Sequence, residues 1–479
     1  MFTSIYPFFK AQKLRFKIFI VLFVLLIFRA IFWYFPINGN RTVSFFSKEI
    51  PLSLQSVGST DYFGMIELQG DPEGFFLAFN SPNSQNFISL DGGDNWVRKD
   101  KAGGWSDLLV LSDGDFITVN TTITDTNSPG KIIYRSSKYP EEKKIYQAGF
   151  DEYRNPKDIR GVDIEHNKDG LWLLFREGST GEYVFKLWHS KDGNEWYEEG
   201  ELKGLTKPSG THPFSLIVDS EGNIYVALID SDIEIEKRGI QTFRLPNNYK
   251  LTVLKKGKNI DTWEKISGNL GGSGPGRGFE SVVPSYSRLF MDEKGNTYIL
   301  WYHVLSKLES SSPLSPIEYF RYIPVVSLLY SAAALDRVYR DDIYFSVLDK
   351  NSNRFSTPRR INDEILSYKS RLIIDQSLDM KRAKEESFKY AVALKSSVSN
   401  NGKYLVAAWT DYRDKGRKPI FCSYSNDFGH HWSKSQPVYP NLSDGTLSFD
   451  IFVSNNGSLH IIFASKKDNM VYHASGKIE

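Results

Sequence analysis

Apolar residues along most of the chain come in short runs, each introduced by a tight turn of Asp, Asn and Gly. Such turns stand at 71–74, 112–114, 167–170, 219–223, 292–296, 400–402 and 455–457, and the runs that follow include FFLAF, LWLLF, IYVAL and KYLVAAW. A run this short and aromatic, entered through such a turn, predicts a strand of a tight hairpin. Most of the turns lie about 40 to 75 residues apart, the length of a four-stranded blade, so the pattern predicts an all-β, radially repeated β-propeller. The last repeat supplies three strands, 447–453, 459–464 and 470–474. The run 41–52 is expected to add the fourth, closing the ring and leaving no free sheet edge. This implies seven blades, with six as the competing count. One interval between turns exceeds a hundred residues and holds an insertion around 303–340 and a polar stretch, 377–389, with the pattern of a helix. Within the insertion, 325–335 is apolar but too short to cross a membrane, which suggests a buried helix or a loop packed on the propeller.

A different pattern opens the chain. Residues 18–35 are apolar except for Arg29, long enough to span most of a ~30 Å hydrocarbon core as a helix, and Arg29 lies where it can snorkel to the headgroups. Lys10, Lys13, Arg15 and Lys17 precede this run and only Arg41 and Lys48 follow it closely, so the positive-inside bias puts the N-terminus in the cytoplasm. The expected organisation is a cytoplasmic basic tail (1–17), a transmembrane signal-anchor helix (18–35), a linker with the ring-closing strand (36–55) and an extracytoplasmic propeller (56–479). A cleaved signal peptide is the rival reading of 18–28. Against it, bulky aromatics and Pro36 follow where a small-residue cleavage site would stand.

Composition narrows the function classes. Aromatics make up 14% of the chain, a load that favours strands. A net charge of +2, with no basic cluster beyond the N-terminus, leaves nucleic acid little to hold. Cys422 is the only cysteine, so neither an intramolecular disulfide nor a multi-cysteine metal cage can form, and the chain leans toward a bacterial origin. No metal or cofactor is expected.

Two segments fit Ser-x-Asp-x-Gly-x-x-Trp: Ser89, Asp91, Gly93, Trp96 and Ser425, Asp427, Gly429, Trp432. A third, Ser190, Asp192, Gly193, Trp196, is one residue shorter. In a hairpin loop the Asp carboxylate accepts backbone N–H groups, the Gly takes positive φ, and the Trp packs back on the sheet. The motif resembles the Asp-box, or BNR, repeat of sialidases and their non-sialidase relatives, which places it on a peripheral hairpin away from the catalytic face. The segments 134–137 and 349–355 have the look of decayed copies.

The resemblance implies, for an active sialidase, three arginines on the substrate carboxylate, a Tyr–Glu nucleophile pair and an Asp acid/base. This chain departs from that pattern early. The family's first arginine stands in an Arg-Ile-Pro-like motif before the first Asp box, and the only arginine between the anchor and Ser89 is Arg41. Asp163, Glu280 and Arg288 are the catalytic candidates. Arg160, Arg176, Arg413, Glu165, Glu177 and Asp411 are further polar residues near strand ends. The glycine-rich 271–278 lacks the Gly-Lys-Ser/Thr ending of a phosphate loop, adjacent His430 and His431 are expected to be exposed, and Trp172, Trp188, Trp301, Tyr302 and Trp409 are expected in the core. Two functions remain: a membrane-anchored propeller that binds a glycan or a surface protein without catalysis, and an exo-acting glycoside hydrolase of sialidase type.

Overall fold

A computed structural model describes residues 41–479 except 271–280, 311–331, 376–393, 411–419, 439–445 and stretches of six residues or fewer elsewhere. The expected anchor at 18–35, the helix at 377–389 and the glycine-rich 271–278 therefore lie outside the described residues. No helix among the described residues is long and apolar enough to cross a membrane.

Alternating apolar strands pair into seven antiparallel sheets, the blades of a propeller. Their innermost strands are, in blade order, Glu67–Gly70, Trp105–Val110, Asp158–Asn167, Ser215–Val218, Ser281–Met291, Leu394–Val398 and Thr446–Val453. Each neighbours the next, and the seventh neighbours the first, around a closed circle. All seven turns predicted from sequence join the first strand of a blade to the second, and each carries a glycine at a φ between 73° and 129°, a conformation that a side chain would strain. Apolar side chains from facing blades fill the seams. Trp409 and Trp432 lie fully buried with Phe345 between blades five and six, and Trp301 is fully buried between blades four and five. Trp172 and Tyr302 are buried as well, and Trp188 is half-buried against the seam of blades two and three, all as core residues.

The ring closes one segment later than the sequence pattern predicts. Ser53–Ser59, not 41–52, pairs antiparallel with Met470–Lys477 as the fourth strand of blade seven. The earlier residues run along the outside instead: Arg41–Thr42 lies parallel to Arg359–Arg360 on blade five, and Ser44–Phe46 parallel to His431–Ser433 on blade six. Ile50 then anchors the corner. It is buried in the seam of blades six and seven, its N–H donates to Gln436 Oε1 (2.8 Å) and its carbonyl accepts from Gln436 Nε2 (3.0 Å).

The described parts of the insertion, 303–310 and 332–340, are strands, because Thr297–Ser310 and Ala332–Asp349 keep pairing out to Ser310 opposite Leu335. The helix or packed loop expected at 325–335 falls largely on 325–331, outside the described residues. Leu366–Asp375 adds alongside as a third strand. Blade four has a similar arm, Ile224–Arg238 against Gln241–Lys256, paired out to Arg238 opposite Gln241. Second-to-third-strand hairpins leave a blade opposite to its first turn, so both arms rise on the same face of the ring.

Candidate functional site

The inner edge of each first strand faces the central channel and carries backbone N–H groups with no strand to pair them. Four residues before Asp71, Leu111, Asn167, Asp219, Asp292, Ser399 and Ser454, the residues whose backbone opens each inner turn, stand Glu67, Asp107, Asp163, Ser215, Arg288, Lys395 and Asp450, one per blade at a common depth. Several of these side chains bridge to the next blade. Asp450 Oδ2 accepts from Leu68 N–H (3.0 Å), Asp107 Oδ2 from Ile164 N–H (2.5 Å), Asp163 Oδ2 from Leu216 N–H (2.6 Å) and Ser215 Oγ from Leu289 N–H (3.1 Å). Lys395 has no acceptor to offer blade seven. Asp450 Oδ1 takes its own neighbour's N–H there, at Ile451 (2.9 Å), and Lys395 Nζ lies 3.6 Å from that same oxygen. The channel wall is thus laced blade to blade by carboxylates and hydroxyls, with Ser448 and Ser397 doing the same at adjacent levels, to Ile66 and Val453.

Charge is unevenly distributed around this ring. The acids Asp450, Glu67, Asp107 and Asp163 occupy four consecutive blades, and the cations Arg288 and Lys395 occupy blades five and six. Burial pushes the Glu67 carboxyl well above the usual carboxylate range, reinforced by the charge of Asp107 and a hydrogen bond with it, while Lys395 opposes the shift. Asp163 is raised the same way, by burial first and then by Asp107 and Glu165, against the pull of the Leu216 N–H and Arg288. Two residues along the same strand, Glu165 is pushed up to about 8 by burial and by Asp107. A carboxyl with that pKa stays protonated at neutral pH and serves as a hydrogen-bond donor or a general acid.

Of the catalytic candidates, Asp163 and Arg288 meet electrostatically in this channel, and Glu280 lies outside the described residues, as do Asp411 and Arg413. The other arginines sit apart from Arg288. Arg160 is exposed and pairs with Asp158 (2.8 Å). Arg176 is buried among Tyr183, Phe185 and Phe214, with Nη1 donating to Ser209 O (2.8 Å). Glu177 is buried between blades two and three, where it accepts from Tyr146 Oη and lies 3.4 Å from Lys157 Nζ and 3.6 Å from Lys186 Nζ. No group of three or more His, Cys, Asp or Glu among the described residues is placed to hold a metal ion. Sequence reasoning missed Glu67, Asp107, Lys395 and Asp450 in the ring. The signal was their fixed distance from the inner turns.

The three Ser-x-Asp segments all lie between the third and fourth strands of a blade, on the face away from the arms. Ser89 Oγ donates to Asp91 Oδ1 (2.7 Å) and accepts from Gly93 N–H (2.8 Å), and Asp91 Oδ1 accepts from Asn95 N–H (2.9 Å). The Asn95 backbone N–H first, then the Asn95 side-chain amide and the Ser89 hydroxyl, hold the exposed Asp91 carboxyl down at about 2. Ser425, Asp427, Gly429 and His431 repeat the arrangement at 2.9 Å throughout. In the shorter segment Ser190 Oγ accepts from Gly193 N–H (2.9 Å) and Asp192 Oδ1 from Asn194 N–H (2.8 Å). Trp432 is fully buried, while Trp96 and Trp196 are half-buried against their seams. His430 and His431 are exposed, as expected, and His431 Nδ1 bonds Asp427. The two suspected decayed copies occupy the same connections in blades two and five: Ser136 Oγ accepts from Lys138 N–H (3.2 Å), and Asp349 Oδ1 accepts from Asn351 N–H (3.0 Å).

No family model matches the chain. No curated protein matches it either. Solved structures similar to it include YCF48 bound to D1 peptide, at 10% identity over 91% of this chain and 100% of that one with a TM-score of 0.41. Another is a PL25 ulvan lyase, at 10% identity over 91% and 96% with a TM-score of 0.49. A third is a protein of unknown function from Dyadobacter fermentans, at 9% identity over 89% and 99% with a TM-score of 0.43. Likenesses this remote bear on no residue of the channel.

Proposed function

We propose that the chain is a membrane-anchored, extracytoplasmic propeller of the sialidase-like, Asp-box kind that binds a glycan or a protein on its arm-bearing face without catalysis. The observation that carries this reading is the use of the channel acids. Asp107, Asp163 and Asp450 each accept a backbone N–H from the innermost strand of the next blade, which fixes them as part of the wall. Arg160, Arg176 and Arg288 have separate surroundings, and so do not form the carboxylate clamp a sialidase needs. Strand extensions on blades four and five give one face raised walls, the setting in which propeller-type scaffolds present binding surfaces. The uncleaved anchor rests on the apolar run 18–35 and its charge asymmetry.

The competing reading is an exo-acting glycosidase, favoured by one observation: Glu165 keeps its proton near neutrality two residues from Asp163, as a general acid requires. The purified full-length protein separates the two when assayed against sialosides and a panel of other aryl glycosides, alongside saturation binding to glycans. Saturable binding with no release of aglycone is the expected result. Turnover that disappears in a folded Asp163→Asn or Arg288→Gln variant would establish the enzyme instead.

A further inference from the structure

Five residues, 36–40, separate the apolar run 18–35 from Arg41, where strand pairing with the outer edge of blade five begins. The chain then stays on that side, pairing Ser44–Phe46 with blade six. Six Cα-to-Cα steps from residue 35 to residue 41 reach at most about 20 Å. On the reading that 18–35 crosses a membrane, the rim of blades five and six is held within that distance of the bilayer.

That rim carries an unusual residue. Phe428 sits in the blade-six turn at φ 63°, a left-handed conformation, where the sister turn of blade one has Gly92 at 72°. Its side chain does not recover the strain by burial, since 41% of it is exposed. Its N–H donates to Lys403 O (3.1 Å), fixing the turn, and Lys294 Nζ lies 6.0 Å from the ring centroid. Lys294 and Lys403 are both exposed beside it. Of the nearby acids, Asp427 is bonded by His431, Glu293 is exposed, and the C-terminal Glu479 accepts from Asn426 Nδ2 (2.8 Å) through its backbone oxygen. An exposed aromatic ring among lysines is the chemistry of an interface with lipid headgroups: the ring enters the acyl boundary and the ammonium groups meet anionic lipid.

We propose that the rim around Phe428, with Lys294 and Lys403, rests on the bilayer that holds the N-terminal segment, so that the propeller lies with blades five and six against the membrane. The proposal rests on the anchor reading above, and it names the bilayer rather than a protein partner because the tether leaves the rim no other near surface. Cys422 is buried, so a thiol-reactive fluorophore can be placed selectively at His430→Cys beside the patch, or at Tyr153→Cys across the ring, where 77% of Tyr153 is exposed. The full-length protein is reconstituted into vesicles of phosphatidylcholine and phosphatidylglycerol that contain a headgroup-quencher lipid. The label at 430 should be quenched severalfold more than the label at 153. Adding Phe428→Gly should bring the two close together while the melting temperature holds or rises, because glycine relieves the φ strain. Equal quenching at both sites in protein that resists carbonate extraction would overturn the docking and leave the anchor standing. Release of the protein by carbonate would overturn the anchor, and the docking with it. Unchanged quenching in Phe428→Gly would remove Phe428 from the contact.

Discussion

The two faces of the ring are built on opposite principles. On one, first-to-second and third-to-fourth strand turns are short and held by their own side chains, as in the bonds from Ser89 and Asp91 or from Ser425 and Asp427. On the other, the second and third strands of blades four and five run on past the ring as arms. The first face satisfies its backbone groups locally and adds buried tryptophans, which is what a stability element needs. The second extends backbone ladders beyond the level of the ring. On the binding reading proposed above, fold and recognition fall to different loops of the same blades, and the laced channel between them belongs with the fold.

The sharpest way to break this comparison is at the stapled face. Trp432 is fully buried, with its ring edge-on to Phe345 at 5.6 Å between centroids. Trp432→Ala is expected to cost about 3–5 kcal/mol, measured by denaturant unfolding, with ligand binding by the folded fraction intact. A variant that unfolds normally but loses binding would move the stapled face into the functional half.

Acid should loosen the same face. Beneath the blade-one turn, His460 and His473 are buried with stacked rings, Nδ1 of one 3.2 Å from Nε2 of the other, and the edge of Trp96 packs on His473. Burial holds them at about 3 and about 4, below the ordinary 6.5. The unfolded chain therefore takes up protons that the folded chain refuses. Stability is full above pH 6.5 and falls as the pH drops toward 4, by roughly 2 kcal/mol per histidine at pH 5. A pH series of unfolding curves on the wild type and on His460→Gln checks this, and the variant should show the shallower acid slope.

The channel gives the smallest effect, with the opposite sign. Glu165 has a folded pKa of about 8 against an ordinary 4.5. The folded state keeps a proton that the unfolded chain releases, so its contribution is full below pH 4.5 and is lost as the pH rises to 8. Glu165→Gln should flatten that loss and stabilise the protein at pH 8 by about 1 kcal/mol, allowing for water in the channel, with no change at pH 4. Equal melting temperatures at both pH values would show that Glu165 is solvated.

Much of the fold was legible because a propeller repeats a local signal. Each inner turn needs a residue at positive φ, and Gly74, Gly170, Gly222 and Gly402 advertise it. The buried tryptophans were legible because they sit in apolar strand runs, and Gly170–Ser179 and Leu405–Thr410 are buried along nearly their whole length. The ring closure was misplaced by one segment because 41–46 pairs in parallel along the rim, a long-range choice with no local signature, and only the Ile50–Gln436 corner turns the chain inward. The channel was half legible. Asp163 and Arg288 stood out as charges near strand ends, but their partners Glu67, Asp107, Lys395 and Asp450 come from blades far apart in sequence, and only closure of the ring brings them to one depth. The blade-five arm was legible only as an insertion and the blade-four arm not at all, because each hairpin simply continues the strand pattern of its blade beyond the ring.

The division between the faces is tested most directly by removing one arm. Excising 233–246 from blade four and rejoining the hairpin with a two-residue turn leaves the ladder from Ile224 opposite Lys256 to Asp230 opposite Lys250 in place. Thermal unfolding of this variant beside the wild type is the measurement. An unchanged melting temperature, with saturable ligand binding lost, is the predicted result. A fall in melting temperature as large as that of Trp432→Ala would show that the arm is part of the fold, and would contradict the separation of the two faces.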